Sequence, residues 1–107
     1  MSKTPEGIVK DKVKELLKEF EVYYFMPVQN GYGACGLDFH CCVEGRAVYI
    51  ETKAPGKKLT PRQENTVRQI QASGGLVFVV STDEHIVILR NALNLMLLTA
   101  QPEQKQV

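Results

Sequence analysis

Two segments in which polar and apolar residues alternate, 37 to 43 and 46 to 53, flank a Glu-Gly dipeptide and predict a β-hairpin. A two-residue turn fixes the register and places apolar side chains opposite each other on one face, as a core face requires. The apolar pairs are Phe39 with Ile50 and Cys41 with Val48. The opposite face holds Asp38, His40 and Cys42 across from Glu51, Tyr49 and Ala47. This register predicts that the carboxylates of Asp38 and Glu51 face each other directly across the ladder.

Repulsion between the Asp38 and Glu51 carboxylates needs compensation, because like charges directly across a ladder are destabilising. A bound cation or a shared proton supplies it. Two carboxylates and a backbone carbonyl are the hard oxygen ligands that Mg²⁺ prefers, with several waters kept. Lys53 follows Glu51 on the same face, where it can position or deprotonate an attacking water, or stabilise charge growing on a phosphate. An exposed salt bridge between Glu51 and Lys53 is the simpler alternative.

The stretch that follows is basic: from Lys53 to Arg62 there are four positive charges and no acidic residue. Lys57 and Lys58 lie in a loop, and Arg62 lies in the first turn of a predicted helix, a natural anion-binding end. A phosphodiester could be held there. A solvated basic loop is the alternative that this stretch would suggest by itself.

A helix is predicted over residues 4 to 21, with Thr4 as its cap and Pro5 at its first position. Its apolar stripe consists of Val9, Val13, Leu16, Leu17 and Phe20. Glu6 extends this inward stripe, so its carboxylate lies either at the rim of the core or directed at a site. Residues 22 to 27 then predict a strand, rich in β-branched and aromatic residues.

A second helix is predicted from Thr60, where Gln63 completes a capping box. Gln63 shares a face with Val67 and Ile70 and therefore points inward. A purely capping role and a role in a site both remain open for it. The continuous apolar run of residues 76 to 80 predicts a central strand.

The C-terminal segment, residues 86 to 98, favours a helix, with Ser81 and Glu84 as a further capping box. Its inward face would hold Ile86, Leu89, Leu93 and Leu97. A strand over residues 85 to 90 is the alternative. The segment has more apolar side chains than one stripe can bury, and the excess includes Val87, Ile88, Leu95 and Leu98. Such a patch predicts a two-fold homodimer, with the glycine-rich loop at 29 to 36 as a second candidate surface.

The chain of 107 residues has the size of one domain, assigned to residues 1–107 with a polar tail from about residue 99. A composition of 44% hydrophobic and 23% charged residues is typical of a globular protein and excludes a disordered one. The net charge of +1 neither indicates nor excludes a nucleic-acid partner. No membrane span and no signal peptide are predicted, so we expect a cytosolic protein.

The cysteines Cys35, Cys41 and Cys42 are odd in number and crowded, which argues against a disulfide framework. With His40 beside them, a zinc-organised interaction domain has to be considered. The pattern lacks C-x-x-C, and on a strand Cys41 and Cys42 point to opposite faces. Burial as small apolar residues is the expected role of these cysteines.

The order of these parts resembles the PD-(D/E)XK nuclease superfamily. The motifs are "GLD" ending in Asp38, "IETK" with Glu51 and Lys53, and a helix that opens "TPRQ". The run "ETKAPGKKLTPRQ" and the following "GGLVFVV" resemble the VRR-NUC family in its small standalone form, over roughly residues 4 to 90. The first motif differs from the family pattern, since Gly-Leu-Asp stands in place of Pro-Asp.

The resemblance implies an α/β fold of restriction-endonuclease type, a mixed central sheet flanked by helices in the order α-β-β-β-α-β-α. It implies Mg²⁺ or Mn²⁺ as cofactor, with ligands from Asp38, Glu51 and the Thr52 carbonyl. It implies that Lys53 acts in catalysis, with Glu6 and Gln63 as further catalytic-site residues. The basic residues Lys57, Lys58 and Arg62 would then bind DNA.

The function implied by the resemblance is a metal-dependent endonuclease that hydrolyses DNA phosphodiester bonds with selectivity for branched structures, as Holliday-junction resolvases do. The family members are dimers from bacteria and phages, so a homodimer in the cytoplasm of a bacterial or phage-infected cell is expected. A non-catalytic DNA-binding or assembly module of the same fold is the alternative function.

Overall fold

The computed structural model describes residues 3–28 and 36–100, and within them it has three helices and four strands. In chain order these are α1 (Pro5–Glu19), β1 (Tyr23–Phe25), β2 (Phe39–Val43), β3 (Arg46–Thr52), α2 (Pro61–Ala72), β4 (Leu76–Val80) and α3 (Asp83–Leu98). The order of helices and strands is therefore the predicted one. The predicted fold class is confirmed as α/β with a mixed sheet flanked by helices.

The four strands form one sheet in the order β1-β2-β3-β4. The β1–β2 and β2–β3 pairs are antiparallel, and β3 runs parallel to β4. The predicted hairpin register is confirmed, with Phe39 opposite Ile50 and Cys41 opposite Val48. Its turn has Glu44 at φ 49° and Gly45 at φ 81°, the two positive values that a tight hairpin turn requires.

The core lies between one face of the sheet and the helices α1 and α3. It contains Val9, Val13, Leu16 and Leu17 of α1, Phe39, Cys41, Val43, Val48, Ile50 and Val80 of the sheet, and Leu89, Leu93 and Met96 of α3. The opposite face carries Tyr49, and α2 packs there, since a Cβ placed on Gly75 would lie 2.6 Å from Ile70 Cγ2 and 3.4 Å from Tyr49 Cε1. Because strand residues alternate between faces, one hairpin supplies both the core and the surface beneath α2.

The first helix has the predicted cap: the Gly7 amide donates to Thr4 Oγ1 at 3.0 Å. It ends at Glu19, two residues before the predicted end, and Glu21 then takes a positive φ of 54°. The strand predicted over residues 22 to 27 is confirmed only at its centre, as β1.

The position predicted for β4 was wrong, because within the described residues it is an edge strand that pairs only with β3. Its continuous apolar sequence is explained by contacts with helices, since it touches both α2 and α3. A strand that is covered on both faces has an apolar sequence throughout, whether it is central or at an edge of the sheet.

The C-terminal segment is one helix, so the alternative of a strand over residues 85 to 90 was wrong. The predicted cap was also wrong: Thr82, not Ser81, caps α3 and accepts from the His85 amide at 3.2 Å. On the inward face Met96 is buried, whereas Leu97, predicted to point inward, is 36% exposed. None of the described helices is both long and apolar enough to cross a membrane.

Candidate functional site

The structure brings Asp38 and Glu51 together at the end of the hairpin away from its turn. The Asp38 amide donates to Glu51 Oε1 at 3.1 Å. Asp38 Oδ2 accepts from the Thr52 amide at 3.0 Å and from Thr52 Oγ1 at 2.5 Å. Glu51 is only 3% exposed and Thr52 is fully buried. Glu51 is therefore held by the backbone amide of Asp38, and Asp38 is held by the backbone amide and hydroxyl of Thr52.

The buried carboxyl of Glu51 has a strongly shifted acidity. Burial raises its pKa to about 7, and the nearby negative charge of Asp38 contributes to this rise. The hydrogen bond from the Asp38 amide and the charge of Lys53 act in the opposite direction. Since the raising effects prevail, a substantial fraction of Glu51 is protonated at neutral pH in the metal-free protein.

Gln63 links the second helix to this carboxylate. Its Oε1 accepts from the Thr60 amide at 3.0 Å, which completes the predicted capping box. Its Nε2 donates to Glu51 Oε2 at 2.9 Å. The capping contact and a contact with the Glu51 carboxylate are thus both made by this one side chain.

Two lysines lie beside the carboxylate pair, one next to each carboxylate. Lys53 Nζ lies 3.7 Å from Glu51 Oε2, and Lys10 Nζ lies 3.7 Å from Asp38 Oδ1. Lys10 is also 3.9 Å from Glu6 Oε2, so Glu6 lies at the rim of the site through this contact. The sequence interpretation missed Lys10. Its signal was its position four residues after Glu6, on the same helix face.

The donor set fits a hard divalent cation better than zinc. Asp38 and Glu51 supply carboxylate oxygens beside Thr52, and Mg²⁺ is commonly held by one or two carboxylates with waters completing its shell. In residues 3–28 and 36–100, no group of three or more His, Cys, Asp or Glu side chains is placed to hold a metal ion, so a cation at this site would have two carboxylate ligands and waters.

The cysteines do not form a common site among the residues described. Cys41 is buried and Cys42 is exposed, so the expected burial was right for Cys41 and wrong for Cys42. Burial raises the pKa of the Cys41 thiol to about 12, which leaves it an inert apolar side chain. Cys35 lies outside the described residues, as does the candidate loop interface at 29 to 36 apart from Gly36.

The three predicted DNA-binding residues lie on the surface after β3. Lys57 and Lys58 are exposed in the loop, and Arg62 is exposed in the first turn of α2. Gly56 takes a φ of 86° there, a conformation that favours glycine. The basic loop therefore leads directly into the helix start that carries Gln63.

We expect Glu51→Gln to raise the free energy of unfolding of the metal-free protein more at pH 8 than at pH 5. The folded-state pKa of about 7 lies above the ordinary value of 4.5, so the folded state binds more protons between these values. Stability consequently falls as pH rises through this window and stays lower above it. Between pH 5 and pH 8 the penalty removed by glutamine grows by an amount on the order of 2–3 kcal/mol, from about 1.4 kcal/mol per unit of pKa.

Urea unfolding in EDTA at the two pH values measures this change in the free energy of unfolding. Glu15→Gln, at an exposed position of α1, is the matched control and should show no such pH dependence. An equal effect of Glu51→Gln at pH 5 and pH 8 would contradict the shifted acidity of Glu51.

The residues predicted for the site are mostly gathered in one place: Asp38, Glu51, Thr52, Lys53 and Gln63 lie together, with Glu6 at the rim. Lys57, Lys58 and Arg62 border it along the chain.

No protein-family model matches this chain, and no curated protein matches it either. The chemistry of the site is therefore the basis for assigning a function.

Proposed function

We propose that this protein is a divalent-metal-dependent deoxyribonuclease that hydrolyses phosphodiester bonds, with a preference for branched DNA. The observation that carries the proposal is the largely buried Asp38–Glu51 pair, with Lys53 beside it and a basic loop leading away from it. The resemblance to VRR-NUC proteins, and with it a restriction-endonuclease-like fold, is part of the same proposal. Its expected location is the cytoplasm of a bacterial or phage-infected cell.

Mg²⁺ or Mn²⁺ is the proposed cofactor, held by Asp38, Glu51 and the Thr52 carbonyl. When bound, such an ion supplies Lewis-acid activation of the phosphate and of the attacking water. Gln63 keeps Glu51 Oε2 oriented by donating to it, and the Thr52 amide and hydroxyl do the same for Asp38 Oδ2. These contacts hold the two carboxylates in place before a ligand binds, which reduces the cost of organising the site.

Lys53 is the proposed catalytic lysine, since its Nζ lies 3.7 Å from Glu51 Oε2 and its side chain is largely shielded from solvent. In hydrolysis a water oxygen forms a bond to phosphorus, the bond from phosphorus to the leaving sugar oxygen breaks, and one proton passes from the water side to the leaving oxygen. Lys53 would stabilise the additional negative charge on the phosphate in the transition state by hydrogen bonding. The α2 N-terminus and the basic loop would bind the flanking phosphates.

The test of this function is cleavage of labelled linear, flap and four-way DNA substrates with Mg²⁺, with Mn²⁺ and with EDTA. We expect cleavage only with a metal, and fastest on the branched substrates. Binding of DNA without cleavage under all three conditions would favour the alternative, a non-catalytic DNA-binding or assembly module. No binding and no cleavage would refute both.

A two-fold homodimer is the proposed assembly, because two symmetric incisions in a junction need two active sites. The predicted apolar patch on α3 is exposed in the single chain: Val87 is 54%, Ile88 55%, Leu95 61% and Leu98 84% exposed. Several exposed aliphatic side chains on one helix often mark an interface.

Light scattering at micromolar concentration should give a mass near twice the 12.0 kDa of one chain. The double variant Ile88→Ser with Leu95→Ser should shift it towards the monomer without unfolding the chain, since both side chains face solvent in the monomer. Tyr23→Ser, at an equally exposed position on β1, is the control. A wild-type monomer with full activity on four-way junctions would refute the dimer.

A further inference from the structure

Three aromatic rings form a row across the sheet on the face that carries the carboxylates. Phe25 of β1 lies opposite His40 of β2, and His40 lies opposite Tyr49 of β3. The ring centroids are 6.3 Å apart for Phe25 and His40, and 4.9 Å apart for His40 and Tyr49. Phe25 is 54% exposed. We call Phe25, His40 and Tyr49 the aromatic row.

The aromatic row lies directly beside the proposed catalytic carboxylates. His40 is two residues from Asp38, and Tyr49 is two residues from Glu51, so all four side chains share one face. Two residues along a strand span about 7 Å, close to the spacing of successive nucleotides along a DNA strand. A base adjoining a phosphate at the carboxylate pair would therefore meet these rings.

A cavity of about 470 Å³ continues from the aromatic row to α2. His40 and Tyr49 form one wall, and Arg62, Asn65 and Gln69 lie on the other. Among the described residues that line it, Arg62 carries the one formal charge, and it is positive. The cavity thus combines aromatic rings, amide groups and a cation, a set complementary to a base with its phosphate.

We propose that the aromatic row stacks unpaired nucleobases next to the cleaved phosphate, so that the substrate is DNA with single-stranded nucleotides at the cleavage position. This inference rests on the proposed nuclease function and names the structure of its substrate. Exposed aromatic rings on a sheet face stack bases without regard to sequence, because every base has a π-face. The patch on α3 is purely aliphatic and offers no such rings.

The experiment measures the binding of two probes by the full chain, with Ca²⁺ and separately with EDTA. One probe is a single-stranded oligonucleotide with one 2-aminopurine, and the other is the same strand in a matched duplex. We expect the wild type to bind the single strand more tightly and to change its 2-aminopurine fluorescence on binding. Phe25→Leu should weaken that binding by about fivefold or more, the scale of removing one base stack, and should change duplex binding by less than about twofold.

Tyr23→Leu is the matched control, because Tyr23 lies on the same strand and face, one pair farther from the carboxylates, and is 69% exposed. It should retain wild-type affinity for both probes. Tyr49 is half-buried, so two variants are compared at this position. Tyr49→Phe keeps the ring and should retain binding of the single strand, whereas Tyr49→Leu removes the ring and should lose that binding.

Equal affinity of Phe25→Leu and Tyr23→Leu for the single strand would overturn the aromatic row as a base-stacking surface. A change of mass on light scattering for Phe25→Leu would overturn it too, by showing that this face contacts a second copy of the chain. Tight duplex binding with no preference for unpaired bases would overturn this inference and leave the nuclease proposal standing. Failure to bind either probe under both conditions would refute both.

Discussion

Glu51→Gln and Asp38→Asn are each expected to reduce metal-dependent DNA cleavage by more than about a hundredfold. Loss of a residue that only supports a metal ligand typically costs about 10- to 100-fold, so loss of a ligand itself should cost more. Both variants remove one negative charge from a pair that is held at close range by the Asp38 amide and Glu51 Oε1, 3.1 Å apart. The measurement is the single-turnover cleavage rate on the branched substrate that the wild type cleaves fastest, across a range of Mg²⁺ and Mn²⁺ concentrations.

Both variants should stay folded, because each amide keeps the size of the carboxyl it replaces. Circular dichroism and thermal unfolding check this. Glu15→Gln makes the same chemical change at an exposed position of α1 and should cleave at the wild-type rate. Wild-type cleavage by either Asp38→Asn or Glu51→Gln would eliminate the proposed metal site.

Lys53→Ala is expected to lower kcat by about 10²- to 10³-fold, the scale of removing one transition-state hydrogen-bond donor, with little change in DNA affinity. The double variant Lys57→Ala with Lys58→Ala should weaken DNA binding and change kcat little. Lys57 and Lys58 are exposed in the loop after β3, where they can contact phosphates. The slope of log affinity against log salt should become shallower by about 1 for each phosphate that is no longer neutralised.

Single-turnover kinetics and a salt titration of binding separate the two effects. Lys18→Ala, at an exposed position in the last turn of α1, controls for the loss of a positive charge elsewhere on the protein. If Lys53→Ala and the double variant both lower kcat, or both lower DNA affinity, then the division between a catalytic lysine and a phosphate-binding loop is wrong.

The hairpin and its carboxylate pair could be predicted because they depend on local information. Alternation of polarity fixes the faces of β2 and β3, and a two-residue turn fixes their register, so Asp38 and Glu51 follow without knowledge of the rest of the fold. The cap at Thr60 is equally local, because the capping box lies within four residues.

The sequence could relate Lys10 to Glu6 but not to Asp38, because the contact with Asp38 depends on where α1 packs against the sheet. The periodicity of α1 shows which residues face inward, but not which strand end they reach. The same limit explains β4, where an apolar run shows that both faces are covered but not whether a further strand lies beside it. In α3 the inward face is set by packing, which buries Met96 in place of Leu97.

The bridge made by Gln63 couples the cap of α2 to the orientation of the Glu51 carboxylate. Glutamate satisfies a capping box as well as glutamine does, so helix stability alone would permit either residue. Only the amide can accept from the Thr60 backbone and also donate to Glu51. Glutamate would bring a third negative charge to the pair, and asparagine is one methylene too short to span both partners. A glutamate or an asparagine at residue 63 would therefore lose one of these two contacts, even where the helix cap itself would allow the change.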